Sequence, residues 1–289
     1  MRILLLSLIM MSMALVSCLK RHQSQLSAAS GPAVIGGQKV SEQDALSASV
    51  VAVWDEANDF ICTGTLIREN IVLTAAHCVL GSAGNLKILF SLDVSSPVSE
   101  IRKAIGSRVH EGYRTHQQNN LDQDDIALIK FEGALPAGYK PAVLLQDEKQ
   151  VDRGTEVIMA GFGAVAAQTN EVDVSSMSEK KIKNEIQDGR LVCDNGLEFC
   201  YELVLSGDGV LRSAHAKIQG FTLKEFRLDE SKGQGTCNGD SGGPVFLHKD
   251  QTDYLFGVTS RGSLSCDQEG IYTNTIEYLD WIDQAIPTL

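Results

Sequence analysis

From Val34 onward the chain runs in short apolar stretches broken by Gly, Asn or Asp. Ser49–Trp54, Gly64–Ile67, Ile71–Thr74, Leu86–Phe90, Ile126–Phe131, Glu156–Met159, Val245–Leu247 and Leu255–Thr259 are rich in Val, Ile, Leu and Thr. Stretches of this length bounded by turn formers predict strands, and a regular succession of them predicts an all-β sandwich or barrel. Helical spacing appears near the C-terminus, where Ile276, Leu279, Ile282 and Ile286 recur beside Tyr278 and Trp281. A helix over 275–286 is expected, opened by Asn274 with Glu277 at capping-box distance and stopped by Pro287.

Two stretches depart from this pattern. Residues 164–210 are polar and charged, centred on Ser175-Ser176-Met177-Ser178-Glu179-Lys180-Lys181, and read as a long surface insertion. Within it Cys193 and Cys200 enclose Asp194-Asn195-Gly196, which predicts a disulfide-closed hairpin. At the other end, Met1-Arg2 precedes an apolar run from Ile3 to Val16, short for a membrane span but suited to a signal peptide over 1–18. The run ends in Leu15-Val16-Ser17-Cys18, which resembles a bacterial lipobox and marks Cys18 for lipidation. Residues 19–33 are polar and small and read as a pro-segment or tether.

Composition adds constraints. With 289 residues, 43% hydrophobic and 21% charged, the chain can bury one large core or two smaller ones. A net charge of −12 argues against nucleic acid, which needs a basic face. Six of the seven cysteines lie beyond the leader, an even set for disulfides in an oxidising compartment, and Cys18 is the odd one. Export is expected, as a lipoprotein at a bacterial outer membrane or periplasm, or by secretion once the pro-segment is cut. No Cys or His spacing matches a metal site.

The candidate chemistry lies in three segments: Thr74-Ala75-Ala76-His77-Cys78, Asp124-Asp125-Ile126-Ala127-Leu128-Ile129 and Gly235-Thr236-Cys237-Asn238-Gly239-Asp240-Ser241-Gly242-Gly243-Pro244. A serine hydroxyl becomes a nucleophile when a base takes its proton, an acid orients that base and donors receive the developing oxyanion. These segments supply the parts in the chain order His, Asp, Ser.

On these motifs the chain resembles the trypsin/chymotrypsin family of serine proteases from Val34 to the C-terminal helix, the insertion excepted. The resemblance implies two packed six-stranded antiparallel β-barrels with a C-terminal α-helix, an all-β fold with barrels over about 34–145 and 146–274. It implies a serine endopeptidase with His77 as base, Asp125 rather than Asp124 as orienting acid, Ser241 as nucleophile, and the amides of Gly239 and Ser241 as oxyanion hole. Asp240 would pair with a new α-amino group at Val34, in Val34-Ile35-Gly36-Gly37, after another protease cuts Ala33-Val34. That cut would also release a lipid-anchored enzyme. Disulfides Cys62–Cys78 and Cys237–Cys266 follow by match, and the insertion, closed by Cys193 and Cys200, falls in the autolysis loop.

The same resemblance assigns the substrate pocket to Gly235 at its base, Gly262 and Gly270 on its walls, and Ser260, which would hydrogen-bond Asp125. Glycine walls and an uncharged base imply a large apolar or aromatic P1 residue, with Asp267 and Glu269 as nearby acids that could restore a taste for cations. Arg261 stands where relatives carry Trp, free either to select an acidic substrate residue or to fold into solvent. The expected partners are polypeptide substrates and the activating protease, with the protein a monomer needing no cofactor, and no acidic pair for calcium stands between Lys87 and Glu100. The rival reading is a catalytically silent protease-like binding module on the cell surface. Such modules usually lose a triad or oxyanion residue, and none is missing here.

Overall fold

The computed structural model describes residues 34–79, 81–113, 123–187, 191–193, 199–263, 266 and 268–289. The leader, Cys18, the 19–33 segment, the Asp194-Asn195-Gly196 turn and Asp267 lie outside the described residues. No helix among the described residues is long and apolar enough to cross a membrane.

Six strands close the first barrel: β1 (Val50–Asp55), β2 (Phe60–Arg68), β3 (Ile71–Thr74), β4 (Leu86–Leu89), β5 (Ile101–Val109) and β6 (Ala127–Phe131), in the order β1-β2-β3-β6-β5-β4. All pairs are antiparallel, and closure leaves no exposed sheet edge. β3 is buried along its whole length, which explains its unbroken Ile-Val-Leu-Thr run.

The second barrel is built from β7 (Glu156–Gly161), β8 (Arg212–Phe221), β9 (Glu225–Asp229), β10 (Pro244–Lys249), β11 (Thr252–Gly262) and β12 (Glu269–Asn274). Its ring runs β7-β8-β9-β12-β11-β10 and closes through β7 on β8. β8 shows the two-residue period plainly: Ala214, Ala216 and Ile218 point inward while His215 and Lys217 face solvent. Phe226 stacks between Phe256 and Tyr272, with centroids 4.9 and 5.4 Å away, and fills the barrel centre.

Three connections tie the barrels together. Gln38–Lys39 pairs with Arg212–Ser213, so the segment beginning at Val34 lies on the second barrel although it precedes the first in sequence. Val143–Leu144 runs parallel to Tyr254–Leu255. Tyr278, Ile282 and Ala285 of the C-terminal helical segment return to the first barrel's core. That segment is a 3₁₀ turn (Thr275–Tyr278), a short α-helix (Leu279–Ala285) and a second 3₁₀ turn (Ile286–Thr288). Asn274 caps it by accepting from the Ile276 amide at 3.3 Å, and Pro287 sits inside the last turn instead of ending the helix.

The insertion holds more structure than its polarity suggested. Ala166–Glu171, Cys200–Ser206 and Leu191–Cys193 form a three-stranded sheet with Cys200–Ser206 in the middle. A helix, Glu179–Gln187, was not expected from the sequence. Ile182 from this helix packs with Leu191 and Cys200 in a small core of its own. Cys193 and Cys200 are direct cross-strand partners and are disulfide-bonded.

Candidate active site

His77 lies in a 3₁₀ turn, Ala76–Val79, directly after β3. Asp125 lies just before β6, and β3 pairs with β6 so that Thr74 stands opposite Ala127. The barrel register thus fixes the separation of base and acid. His77 Nδ1 lies 2.8 Å from Asp125 Oδ2, and the His77 amide donates to Asp125 Oδ1 at 3.0 Å. Ser260 Oγ, at the end of β11, donates to Asp125 Oδ2 at 2.6 Å. Burial pushes the Asp125 carboxyl up, but the His77 charge and the bonds from His77 and Ser260 outweigh it and hold the acid below its usual range.

Asp124 is turned to other partners. Its φ of 54° directs the chain so that its Oδ1 accepts from Lys224 Nζ at 2.6 Å and from the Tyr278 hydroxyl at 2.8 Å. The two neighbouring carboxylates therefore serve different clusters, and only Asp125 meets His77.

Ser241 comes from the turn before β10. The loop packs on the first barrel, where Thr63 N donates to Ser241 O at 2.8 Å. A Cβ at Gly242 would stand 2.0 Å from Thr74 Oγ1 and 3.0 Å from Ala75 N, so glycine is required where the serine loop meets the strand leading to His77. Gly239 has φ of +97°, and a Cβ there would meet Gly163 Cα at 2.8 Å. The amides of Gly239 and Ser241 have no acceptor among the described residues. Two N–H groups left open on either side of Asp240, one of them the serine's own, are the kind of donors an oxyanion needs.

Thr63 escaped the sequence reading. It is fully buried, its Oγ1 donates to Gly239 O at 2.8 Å and accepts from Phe162 N at 3.1 Å, and its carbonyl accepts from Thr74 Oγ1 at 2.8 Å. One side chain thus links both barrels to the oxyanion loop; nothing marks it in the sequence beyond its place after Cys62. Thr63→Val, which keeps the shape and removes the hydroxyl, is expected to cost about 1–3 kcal/mol of stability, because Gly239 O and the Phe162 amide lose a buried partner. Urea unfolding checks this, and an unchanged midpoint would count against the link.

The disulfides are Cys62–Cys78, Cys193–Cys200 and Cys237–Cys266. The first ties β2 to the His77 turn, and the third ties the Ser241 loop to the segment after β11. Cys62, His77 and Cys78 cluster closely enough to suggest a metal centre, but both sulfurs are in the disulfide and offer no thiolate.

Asp240 is fully buried behind the serine loop. Its Oδ1 accepts from Gly163 N and its Oδ2 from Cys237 N, both at 2.8 Å. Burial pushes this carboxyl up to about 7, against the lowering pull of those two amides. Gly161 and Gly163 must lack side chains because a Cβ on either would lie within 2.1 or 2.5 Å of Asp240 atoms. Val34 is also fully buried, in the second barrel's core, and Ile35 O accepts from Gly235 N at 3.0 Å.

A cleft of about 220 Å³ opens beside Ser241, lined among others by Thr236, Asn238, Ser260, Gly262 and the Cys237–Cys266 bridge. Gly235 and Gly270 are buried and are not among the residues that line it. The space next to both is filled by Glu230, which follows β9 and which the sequence reading did not single out. Arg261 is neither poised for an acidic substrate nor turned to solvent. It makes a two-pronged ion pair with Glu225, 2.8 Å on each side, and donates to Ser260 Oγ at 3.2 Å.

Comparison with known proteins agrees with this geometry. The chain matches the Trypsin family over residues 34–282. It is 29% identical over 278 residues to CLIP domain-containing serine protease B4 of Anopheles gambiae, covering 88% of this chain and 70% of that protein. It is 26% identical over 260 residues to alpha-fibrinogenase albofibrase of Trimeresurus albolabris, covering 88% of this chain and 87% of that one. Both relatives are animal proteins. With three disulfides, the domain is one of an exported protein. The chain belongs to the trypsin family, and it is a serine endopeptidase.

Proposed function

We propose that Ser241 attacks the scissile carbonyl of a polypeptide, that His77 takes the serine proton and returns it to the leaving amine, and that Asp125 holds the imidazole and stabilises its charged form. The amides of Gly239 and Ser241 receive the oxyanion. The observation that carries this reading is the Asp125 carboxylate, held ionised in a buried site and bonded to His77 through both oxygens. A buried anion behind the imidazole fixes its tautomer and favours the proton transfer.

In this reading the enzyme is made as a precursor and is switched on by a cut between Ala33 and Val34. A buried Asp240 bonded to two amides, with Arg212 acting on it only from beyond ion-pair distance, supports the switch, since a free Val34 amine would supply a contacting counter-charge. Lipidation of Cys18 would hold the precursor at a membrane until that cut. A preference for a large apolar or aromatic P1 residue, expected from an uncharged Gly235, meets a physical objection: the carboxyl of Glu230 lies against the side-chain positions of Gly235 and Gly270.

Labelling with a fluorophosphonate, combined with N-terminal sequencing of the labelled form, tests the proposal. Label on Ser241 in protein that begins at Val34 is the expected result. Unlabelled protein bearing a free Val34 would favour a silent binding module instead.

A further inference from the structure

We propose that Glu230 supplies the negative charge of the specificity pocket, so that the enzyme cuts after Lys or Arg although the position at the pocket base is Gly235. This rests on the endopeptidase reading above and names the substrate class of that site.

The placement of the carboxyl is the first argument. Glu230 is fully buried, and its Oε1 accepts from the Thr236 amide at 3.1 Å, from Thr236 Oγ1 at 3.0 Å and from the Tyr272 hydroxyl. Thr236 lines the cleft beside Ser241, so the carboxyl stands directly behind the inner wall of the pocket. Its other oxygen, Oε2, has no hydrogen-bond partner among the described residues.

The glycines are the second argument. A Cβ on Gly235 would lie 2.8 Å from Glu230 Cβ and 3.0 Å from its Oε2. A Cβ on Gly270 would lie 2.3 Å from Glu230 Oε1 and 2.7 Å from the Tyr272 hydroxyl. Both glycines therefore make room for the Glu230 side chain rather than for a bulky substrate. The acid and the two glycines form one set: the charge enters from residue 230, and residues 235 and 270 must be small to admit it.

Energetics gives the third. A buried carboxylate oxygen without a partner is costly, and no basic side chain among the described residues forms an ion pair with Glu230. Burial accordingly pushes this carboxyl up, with Glu269 adding to the effect after the opposing bonds from Tyr272 and Thr236. A substrate ammonium or guanidinium reaching the inner end of the cleft would provide the absent charge and donors. An apolar side chain would leave Oε2 buried and unsatisfied, which discriminates against it.

The experiment compares matched peptides with P1 Lys, Arg, Phe and Leu, at enzyme concentrations fixed by fluorophosphonate titration of the mature form. We expect kcat/KM for Lys and Arg to exceed that for Phe by at least about 10²-fold, and Glu230→Gln to reduce the Lys-to-Phe ratio by at least about 10²-fold. Benzamidine, an arylamidine probe of such a pocket, should inhibit the wild-type protein competitively. Titrated enzyme that prefers Phe or Leu, or a Glu230→Gln variant that keeps the wild-type ratio, overturns the proposal. Should Glu230→Gln fail to fold, Glu230→Asp and benzamidine decide. A lower ratio in Glu230→Asp and competitive inhibition of wild type support the proposal, and absence of inhibition overturns it. If the protein takes no label, the catalytic reading itself fails. The pocket is then judged by thermal shift, with stabilisation by benzamidine supporting the charge assignment and none rejecting it.

Discussion

Ser241→Ala is expected to reduce peptide hydrolysis by a factor on the order of 10⁶ in kcat, and Asp125→Asn by about 10⁴. The two losses have different causes. Removing Ser241 takes away the atom that forms the acyl-enzyme, leaving only binding and the open amides of Gly239 and Ser241. Asn at position 125 keeps the shape but presents an amide where the His77 Nδ1 proton is held at 2.8 Å, so the imidazole is fixed in the wrong tautomer. Both variants should bind substrate much as the wild type does, so the loss should appear in kcat with little change in KM. Single-turnover kinetics on the mature form check this. A Ser241→Ala variant retaining a tenth of the wild-type rate would remove Ser241 from the mechanism.

Freeing the Val34 amine is expected to raise the rate of fluorophosphonate labelling, because it would bring a positive charge to the buried Asp240. The expectation rests on Asp240, whose carboxyl is pushed up from 3.8 to about 7 by burial. Between those values the folded protein binds a proton that the unfolded chain has released. The unfolded state therefore binds fewer protons, and stability falls as pH rises from about 4 to about 7, then levels. Integrated over the gap, the penalty is on the order of 4 kcal/mol, equivalent to about 10³ in an equilibrium constant. A nearby ammonium would remove the penalty by pairing with the ionised carboxylate, which the Cys237 and Gly163 amides already hold at the serine loop. Thermal unfolding of uncut Ser241→Ala and of uncut Ser241→Ala/Asp240→Asn across this pH range isolates the effect. The first should lose stability with rising pH relative to the second. Parallel curves would remove Asp240 from the switch.

Much of the site was legible in the chain because short-range chemistry fixes it. The serine loop needs glycine at Gly239 and Gly242 for backbone reasons, with φ values of +97° and +80°, so the motif is written into local sequence. The strand runs were legible because a closed barrel buries every second residue, and β8 displays that alternation directly. The insertion helix was not, since only Ile182 and Ile186 give it an apolar side and a single inward contact suffices in a small disulfide-closed sheet. Arg261 was misjudged for a different reason: its partner Glu225 is distant in sequence and reaches it only because β9 and β11 both flank β12.

By itself the sequence determined an all-β chain and the three segments around His77, Asp125 and Ser241, because each is carried by contiguous residues whose types the backbone or the reaction demands; the two-barrel plan came only through the family resemblance that those segments carry. Tertiary structure alone decided what Asp124 pairs with, that Thr63 joins the barrels at the oxyanion loop, and that Glu230 fills the space beside Gly235 and Gly270. These are matters of which side chains share a volume. Burial and electrostatics act through space, so a glycine that reads as an empty pocket along the chain can be the room left for a charge that arrives from another strand.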